Sequence, residues 1–360
     1  MSRPTVAKIN LSALRENVSI ARSFSPETKL MAVIKSDAYG HGAINIAKAL
    51  QNKVEAFAVA TIDEAILLRE SNISTSILVL EGIFSEDEIQ TYSSNEIMMA
   101  IHNSRQIDWL EASRLQIPVK CWLKLDTGMS RLGFEPEQLQ NNLRRLNSCP
   151  NISDKIVVFT HLACADDRAS EFTTEQLHRF ERLTQNLPVL RSAANSAGVI
   201  AWPSSHFDWV RPGYMLYGNS PLLGELNETI NLKPVMSLLS EIIALRNISR
   251  GSSVGYGAAW NAQRDTRVAT VCIGYGDGYP RSAPSGTPVL INGHRVPIVG
   301  RVSMDMITVD VTDIPACIGD KATLWGEGLP LNEIASLCNT IGYELIAGMP
   351  KRVPRIIVGK

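Results

Sequence analysis

Apolar and polar positions change rhythm once along this 360-residue chain. From about residue 30 to 218, short apolar runs suited to buried strands alternate with segments whose apolar residues recur at helical spacing. The runs predict strands at Met31–Lys35, Ala56–Ala60, Ile77–Leu80, Ile97–Ile101, Val119–Leu125, Ile156–His161, Leu190–Ala194 and Trp209–Arg211. Helices are predicted between them, at Ile46–Gln51, Ile62–Glu70, Arg105–Leu115, Pro136–Leu146 and Thr173–Leu187. Thr61 ahead of Ile62, Asp63 and Glu64, and Ser85 ahead of Glu86, Asp87 and Glu88, are helix-start signals. Eight strand–helix units over about 190 residues predict an α/β chain that begins with a (β/α)8 TIM-like barrel. A doubly wound sheet is the alternative, but the glycine fingerprint for a phosphate is missing after the first strand.

Past Gly218 the texture shifts to short apolar runs broken by Gly and Pro, at Val268–Ile273, Thr287–Ile291, Val296–Val299, Met306–Val311 and Lys321–Trp325. Asn292-Gly293 between two of them signals a hairpin. This half reads as a mainly β C-terminal domain with one helical segment around Leu331–Cys338. The expected division is a barrel over residues 8–225 and a β domain over 226–360, with Asn219–Asn231 as linker. Residues 1–7 are expected to join the β domain, with Thr5–Asn10 pairing as an extra strand.

Composition narrows the function classes. Hydrophobic content of 45%, charged content of 20% and a net charge of −1 describe an ordinary globular protein, with no pull toward nucleic acid or a membrane surface. The polar start of the sequence has no apolar leader core, so cytoplasmic residence is expected. Six cysteines without metal-ligand spacing suggest buried, reduced thiols and no metal.

Barrel chemistry collects at the carboxyl ends of the strands. The residues expected there are Lys35 and Tyr39, then Lys124, Asp126 and Arg131, then His161, Asn195 and Ser196, and finally Arg211 and Gly213. Taken singly, each has an ordinary explanation, such as a loop charge or a helix cap. Together they supply an amine, donors for a phosphate and several cations at one rim. A partly desolvated lysine at a barrel mouth is suited to form a Schiff base.

The motifs point further. The run Val33-Ile34-Lys35-Ser36-Asp37-Ala38-Tyr39-Gly40-His41-Gly42 resembles the pyridoxal-phosphate lysine motif of the alanine racemases. Lys124–Gly133, Phe159–Ala163, Asn195–Gly198 and Val210–Gly213 are similar to further barrel motifs of that family. Val254–Ala258, Gly274–Tyr279 and Gly300–Asp305 are similar to its β-domain motifs, in family order.

The resemblance implies a set of roles. Lys35 carries pyridoxal phosphate as a Schiff base and, once freed by substrate, is the base serving D-alanine; Tyr256 is the base on the opposite face, serving L-alanine. Tyr39, Ser196 and the backbone at Gly213 and Tyr214 bind the phosphate. Arg211 faces the pyridine nitrogen, and His161 packs on the ring and bonds toward Tyr256. Arg131 and the Met304 N–H hold the substrate carboxylate. Lys124 matches a lysine often carbamylated in the family, which would give Arg131 an anionic partner. Asp166, Tyr275, Arg301 and Asp305 line the access corridor. Lys351 departs from the pattern, standing where some members have a tyrosine. The resemblance also implies a head-to-tail homodimer in which Tyr256 completes the partner's site.

Physics makes these choices coherent. Racemisation takes a proton from one face and returns one to the other, which suits two bases. A phenol is a poor base in water unless cations favour its phenolate, and Arg211 with His161 is expected to supply them. An arginine cannot accept a proton from the pyridine nitrogen, which weakens the electron sink and suppresses transamination. The expected activity is interconversion of L- and D-alanine, for peptidoglycan precursors or for catabolism. The rival readings are a basic amino-acid decarboxylase, a non-catalytic pyridoxal-phosphate-binding barrel and a racemase of broader specificity. Tyr256 and Arg211 argue against the first, and the β domain against the second.

Overall fold

The computed structural model describes residues 3–224 and 230–359. After β1 (Val6–Asn10), all eight expected barrel strands form. They are β2 (Lys29–Val33), β3 (Ala56–Val59), β4 (Ser76–Val79), β5 (Ile97–Ile101), β6 (Val119–Lys124), β7 (Ile152–Phe159), β8 (Leu190–Ser192) and β9 (Trp209–Val210). Each pairs in parallel with the next, and Lys29↔Trp209 and Leu30↔Val210 close the ring. The closed ring excludes the doubly wound alternative. Strands buried on both faces explain the continuous apolar runs. Met31 and Val33 face the barrel interior, where Trp122 meets Phe159 and Trp209 edge-on at 5.7 and 5.5 Å between rings. Leu30 and Ala32 face the helices outside.

The helix starts fall where expected, but by different means. Neither Thr61 nor Ser85 caps with its hydroxyl. Instead the Glu64 carboxylate accepts from the Ala60 N–H at 2.7 Å and Glu88 accepts from the Phe84 N–H at 3.2 Å. These bonds tie the residue ahead of each cap to the first turn, a different role from that of an N-cap hydroxyl. Sequence reasoning missed the helix Leu11–Phe24, which Asn10 opens by accepting from the N–H groups of Ser12 and Ala13.

The second half is a mixed sheet built on β10 (Met236–Ile248). β11 (Ser253–Val254) and β12 (Trp260–Asn261) pair apart from it as a two-stranded sheet, and its other strands are β13 (Thr266–Val271), β14 (Pro288–Ile291), β15 (His294–Pro297), β16 (Ile307–Asp310), β17 (Lys321–Trp325), β18 (Arg355–Val358) and β1. β10 pairs with β1 and β17 and, past an irregularity between Ile242 and Ala244, with β13. β1 lies between β10 and β18, so the start of the chain does join the β domain. Asn292 and Gly293 both have positive φ, as a hairpin turn matched to the strand twist requires. No described helix is long and apolar enough to cross a membrane.

The β domain is seated firmly on the barrel rim. Tyr343, in the helix Gly342–Ala347, stacks on Tyr214 at 3.7 Å, and the Tyr214 hydroxyl donates to Asn332 at 2.6 Å. Arg355 donates to the Gly40 carbonyl at 3.0 Å, and a Cβ on Gly40 would lie 2.0 Å from the Ile346 carbonyl oxygen. Asn219, Ser220 and Leu222 of the expected linker are buried. The expected boundary at 225/226 lies outside the described residues, as does the linker from 225 to 229.

Gly40 and Gly293 separate two costs of adding a methyl group. Both have positive φ, but nothing lies within 4 Å of a Cβ at Gly293. Gly293→Ala should cost about 1 kcal/mol from backbone strain alone. Gly40→Ala should cost about 3 kcal/mol or more, because the docked helix must also move. Urea midpoints followed by tryptophan fluorescence measure both, and equal losses would show that the Gly40 contact is not tight.

Candidate active site

Two residues beyond β2, Lys35 begins a single turn in which Ser36, Asp37, Ala38 and Tyr39 all have left-handed backbone angles (φ 51 to 54°). Left-handed backbone costs L-residues roughly 1–2 kcal/mol each, so the turn needs outside support. Glu64 supplies part of it, accepting from the Ser36 N–H at 2.6 Å. The Asp37 carboxylate accepts from the Ala43 N–H at 2.8 Å, and Ala38 N–H donates to the Ile34 carbonyl at 2.9 Å. His41 is buried beneath, its Nδ1 3.0 and 2.8 Å from the carbonyls of Ala38 and Tyr39, its ring stacked on Tyr217 at 4.5 Å. The turn aims Lys35 and Tyr39 at the barrel mouth, and strand β2 ends at Val33 rather than at Lys35.

A polar cradle lies next to Tyr39. The Ser196 hydroxyl accepts from the N–H groups of Gly213 (2.9 Å) and Met215 (3.3 Å), which leaves its own O–H free to donate. Asn195 caps the helix Ser196–Ala201 by accepting from Gly198 N–H. A Cβ on Gly213 would stand 2.6 Å from the Tyr39 hydroxyl, so only glycine allows that approach. No described residue accepts from the Tyr214 N–H. Burial pushes the Tyr39 phenol up to about 12, which keeps it a donor at neutral pH.

Cations crowd the rest of the mouth. Arg211 is buried, and its guanidinium donates to the Ser192 hydroxyl, to the Thr160 carbonyl at 2.6 Å and to the Ala193 carbonyl at 3.3 Å. Burial lowers it to about 10, so it stays charged at neutral pH. The Lys124 ammonium is pushed down to about 8, first by burial and then by Arg131 and Arg211, with Asp126 opposing. Lys124 and Arg211 lie over the Phe159 ring at 5.6 and 5.4 Å. Burial, followed by the charges of Arg211, Lys124, Arg131 and Lys35, holds His161 well below the usual imidazole range. His161 is therefore neutral at neutral pH, and the expectation that it adds positive charge is corrected: burial first, and then the surrounding cations, disfavour a further proton. Its ring makes no hydrogen bond with a described residue, and no described contact links it to Tyr256.

The remaining expected residues form a second group, on the β domain. Tyr256 follows Gly255, whose Cβ position lies 3.3 Å from the Arg301 N–H nitrogen. Tyr275 N–H donates to the Ser303 carbonyl (3.0 Å) and Gly276 N–H to the Met304 carbonyl (2.8 Å), so Tyr256, Tyr275, Arg301, Met304 and Asp305 belong to one loop cluster. This face is bare: Tyr256 is 71% exposed and Met304 53%. No hydrogen bond, ion pair or ring contact joins Tyr256 to a described barrel residue. Asp166 stays on the barrel side, its carbonyl accepting from Leu223 N–H at 3.0 Å. Lys351 is exposed and Tyr279 is core, stacked 6.0 Å from Trp325.

Family models described as "Alanine racemase, N-terminal domain" and "Alanine racemase, C-terminal domain" match residues 9–221 and 235–357. This chain belongs to the alanine racemase family. It is 48% identical over 356 residues to the alanine racemase of Halorhodospira halophila, covering 99% of this chain and 98% of that one. To that of Shewanella woodyi it is 47% identical over 348 residues, covering 96% and 97%. The crystal structure of biosynthetic alanine racemase from Pseudomonas aeruginosa superposes with a TM-score of 0.96 at 45% identity, covering 99% of both chains. The activity is thus interconversion of L- and D-alanine, on a barrel followed by a β domain.

Glu64, Thr160, Ser192, Tyr217 and His41 shape the site and escaped the sequence reading as site residues. Glu64 carried a signal that was read only as a helix start. The carbonyl acceptors of Arg211 carry no side-chain signature.

The buried His41 ties the Lys35 turn to pH. Burial drives its imidazole down to about 4, against 6.5 when unfolded. Below 6.5 the unfolded chain takes up the proton first, so this contribution is complete above 6.5 and is lost as pH falls toward 4. Urea unfolding across that range should show stability falling with acidity, and His41→Phe should flatten the fall. An unchanged slope would mean that His41 does not titrate between the two states.

Proposed function

We propose that this chain racemises alanine with pyridoxal phosphate held at Lys35, and that Lys35 and the Tyr256 of a second copy move the proton on opposite faces of the substrate. One observation carries the reading: the Lys35 amine ends at a rim that offers an anion cradle and several cations but little opposing charge. That donor set fits the cofactor. Tyr39, Ser196 and the backbone at Gly213 and Tyr214 would hold its phosphate, His161 would pack against its ring, and Arg211 would face its pyridine nitrogen. When bound, the cofactor withdraws electrons from the substrate and makes the α C–H acidic.

The chain's own residues do the rest. Arg131 and the Met304 N–H orient alanine by its carboxylate, and Asp166, Tyr275, Arg301 and Asp305 line the way in. Lys35 Nζ exchanges a proton at the face presented by D-alanine, and Tyr256 Oη at the face presented by L-alanine. Arg211, locked by three acceptors, remains a cation; facing the pyridine nitrogen it could only donate to it and would disfavour its protonation, which limits electron withdrawal and favours racemisation over transamination. With Tyr256 bare in one chain, a homodimer in which each β domain covers the partner's barrel mouth gives two complete sites. Lys124, held near 8, has a substantial neutral fraction able to take up carbon dioxide and become an anionic carbamate beside Arg131.

Borohydride reduction of the purified enzyme tests the cofactor's anchor. Peptide mapping should find the reduced cofactor on Lys35, with loss of the visible absorption band and of activity. Label on Lys124 instead would refute the assignment.

A further inference from the structure

Under the exposed loop cluster lies a carboxylate that the reading above does not use. The Asp277 side chain is 2% exposed and takes three hydrogen bonds and a further ion pair, from three directions. Gly274 N–H donates at 3.0 Å, Arg3 donates through both terminal nitrogens at 2.9 and 3.1 Å, and Arg352 Nε lies at 3.0 Å. Both arginines also reach the neighbouring loop. Arg3 Nη2 donates to the Asp305 carbonyl at 3.1 Å and Arg352 Nη2 to the Asp305 carboxylate at 2.6 Å. A residue near the start of the chain is thereby bound to loops about 270 and 300 positions later.

The consequence concerns one peptide plane. Three consecutive carbonyls are pinned from below: Ser303 by Tyr275 N–H, Met304 by Gly276 N–H and Asp305 by Arg3. In a trans peptide the N–H points opposite to the C=O. With the Ser303 carbonyl turned toward the Gly274–Asp277 turn, the Met304 N–H must point away from it. No described residue accepts from that N–H. Close packing holds the arrangement, because a Cβ on Gly274 would lie 2.2 Å from the Ser303 carbonyl oxygen and one on Gly276 2.8 Å from Arg352 Nη1.

We infer that Asp277, clamped by Arg3 and Arg352, is a positioning residue for substrate: it fixes the Ser303–Asp305 loop so that the Met304 N–H is presented to the carboxylate of alanine. The inference rests on the proposal that Met304 binds that carboxylate, and it adds why the loop is rigid enough to do so. Because a carboxylate held by a preset N–H is bound alike in the ground and transition states, losing the clamp should raise KM and spare kcat.

Asp277→Asn in the purified holoenzyme should raise KM for alanine about tenfold while kcat stays within about threefold. Propionate, a carboxylate without the amine, should lose affinity by a similar factor in calorimetry. Arg3→Gln removes the clamp from its partly exposed end and should move both quantities the same way. Asp313→Asn, which breaks only an exposed ion pair with Arg264, should move neither. Unchanged KM and propionate affinity in folded Asp277→Asn or Arg3→Gln protein overturns the inference, as does a fall confined to kcat. If Asp277→Asn does not fold, Arg3→Gln decides alone. Wild-type enzyme that racemises alanine yet binds no propionate would instead overturn the carboxylate pocket itself.

Discussion

The near-contact of Gly40 with the Ile346 carbonyl couples the two halves of the chain at a tightly constrained point. Gly40 ends the left-handed turn that carries Lys35, and Ile346 belongs to the helix by which the β domain sits on the barrel rim. Arg355 closes the same junction by donating to the Gly40 carbonyl and to the carbonyls of Met349, Pro350 and Val353. The turn is thus backed by the β domain on one side and by Glu64 and His41 on the other. Fixing the β domain this way also leaves Tyr256, Tyr275 and Met304 facing outward. The docking that shapes the Lys35 turn thus also leaves the Tyr256 loop cluster open to solvent.

Electrostatics at the barrel mouth follows from which groups the barrel buries. Arg211 is surrounded by acceptors and keeps its charge, whereas His161, among four cations, loses its own. Lys124 lies between these cases, lowered by burial and by like charge yet still near the pH of a cell interior. A rim of this kind, rich in cations and with free donors at the Ser196–Gly213 cradle, favours anions. Phe159 forms an apolar floor beneath Lys124 and Arg211, and the Trp122 and Trp209 rings fill the barrel below it.

Much of this was legible in the residue pattern, for physical reasons. Parallel strands buried on both faces produce apolar runs that stand out, and all eight were placed to within a few residues. The Asn292-Gly293 turn and the extra strand near Thr5–Asn10 were readable for similar reasons. β10 was harder: its core-facing and exposed positions do not alternate, since one strand serves three partners across an irregularity at Ile242–Ala244. The left-handed turn after Lys35 was invisible because its support comes from Glu64, 28 positions away. The charge state of His161 also depends on neighbours drawn from other strands. Motif reading singled out Lys35 and Tyr256 alike, but that Tyr256 is bare and apart from the barrel mouth of its own chain is seen only in the structure.

The central claim is that Lys35 and Tyr256 act together from different chains, and complementation tests it most directly. Lys35→Ala and Tyr256→Ala chains, each inactive, are co-expressed and the mixed dimers verified. Random pairing makes half the dimers mixed, each with one site holding both bases and one holding neither, so about a quarter of all sites should racemise alanine. If Tyr256 served its own barrel, every site would lack one base. Verified mixed dimers without racemase activity would contradict the account.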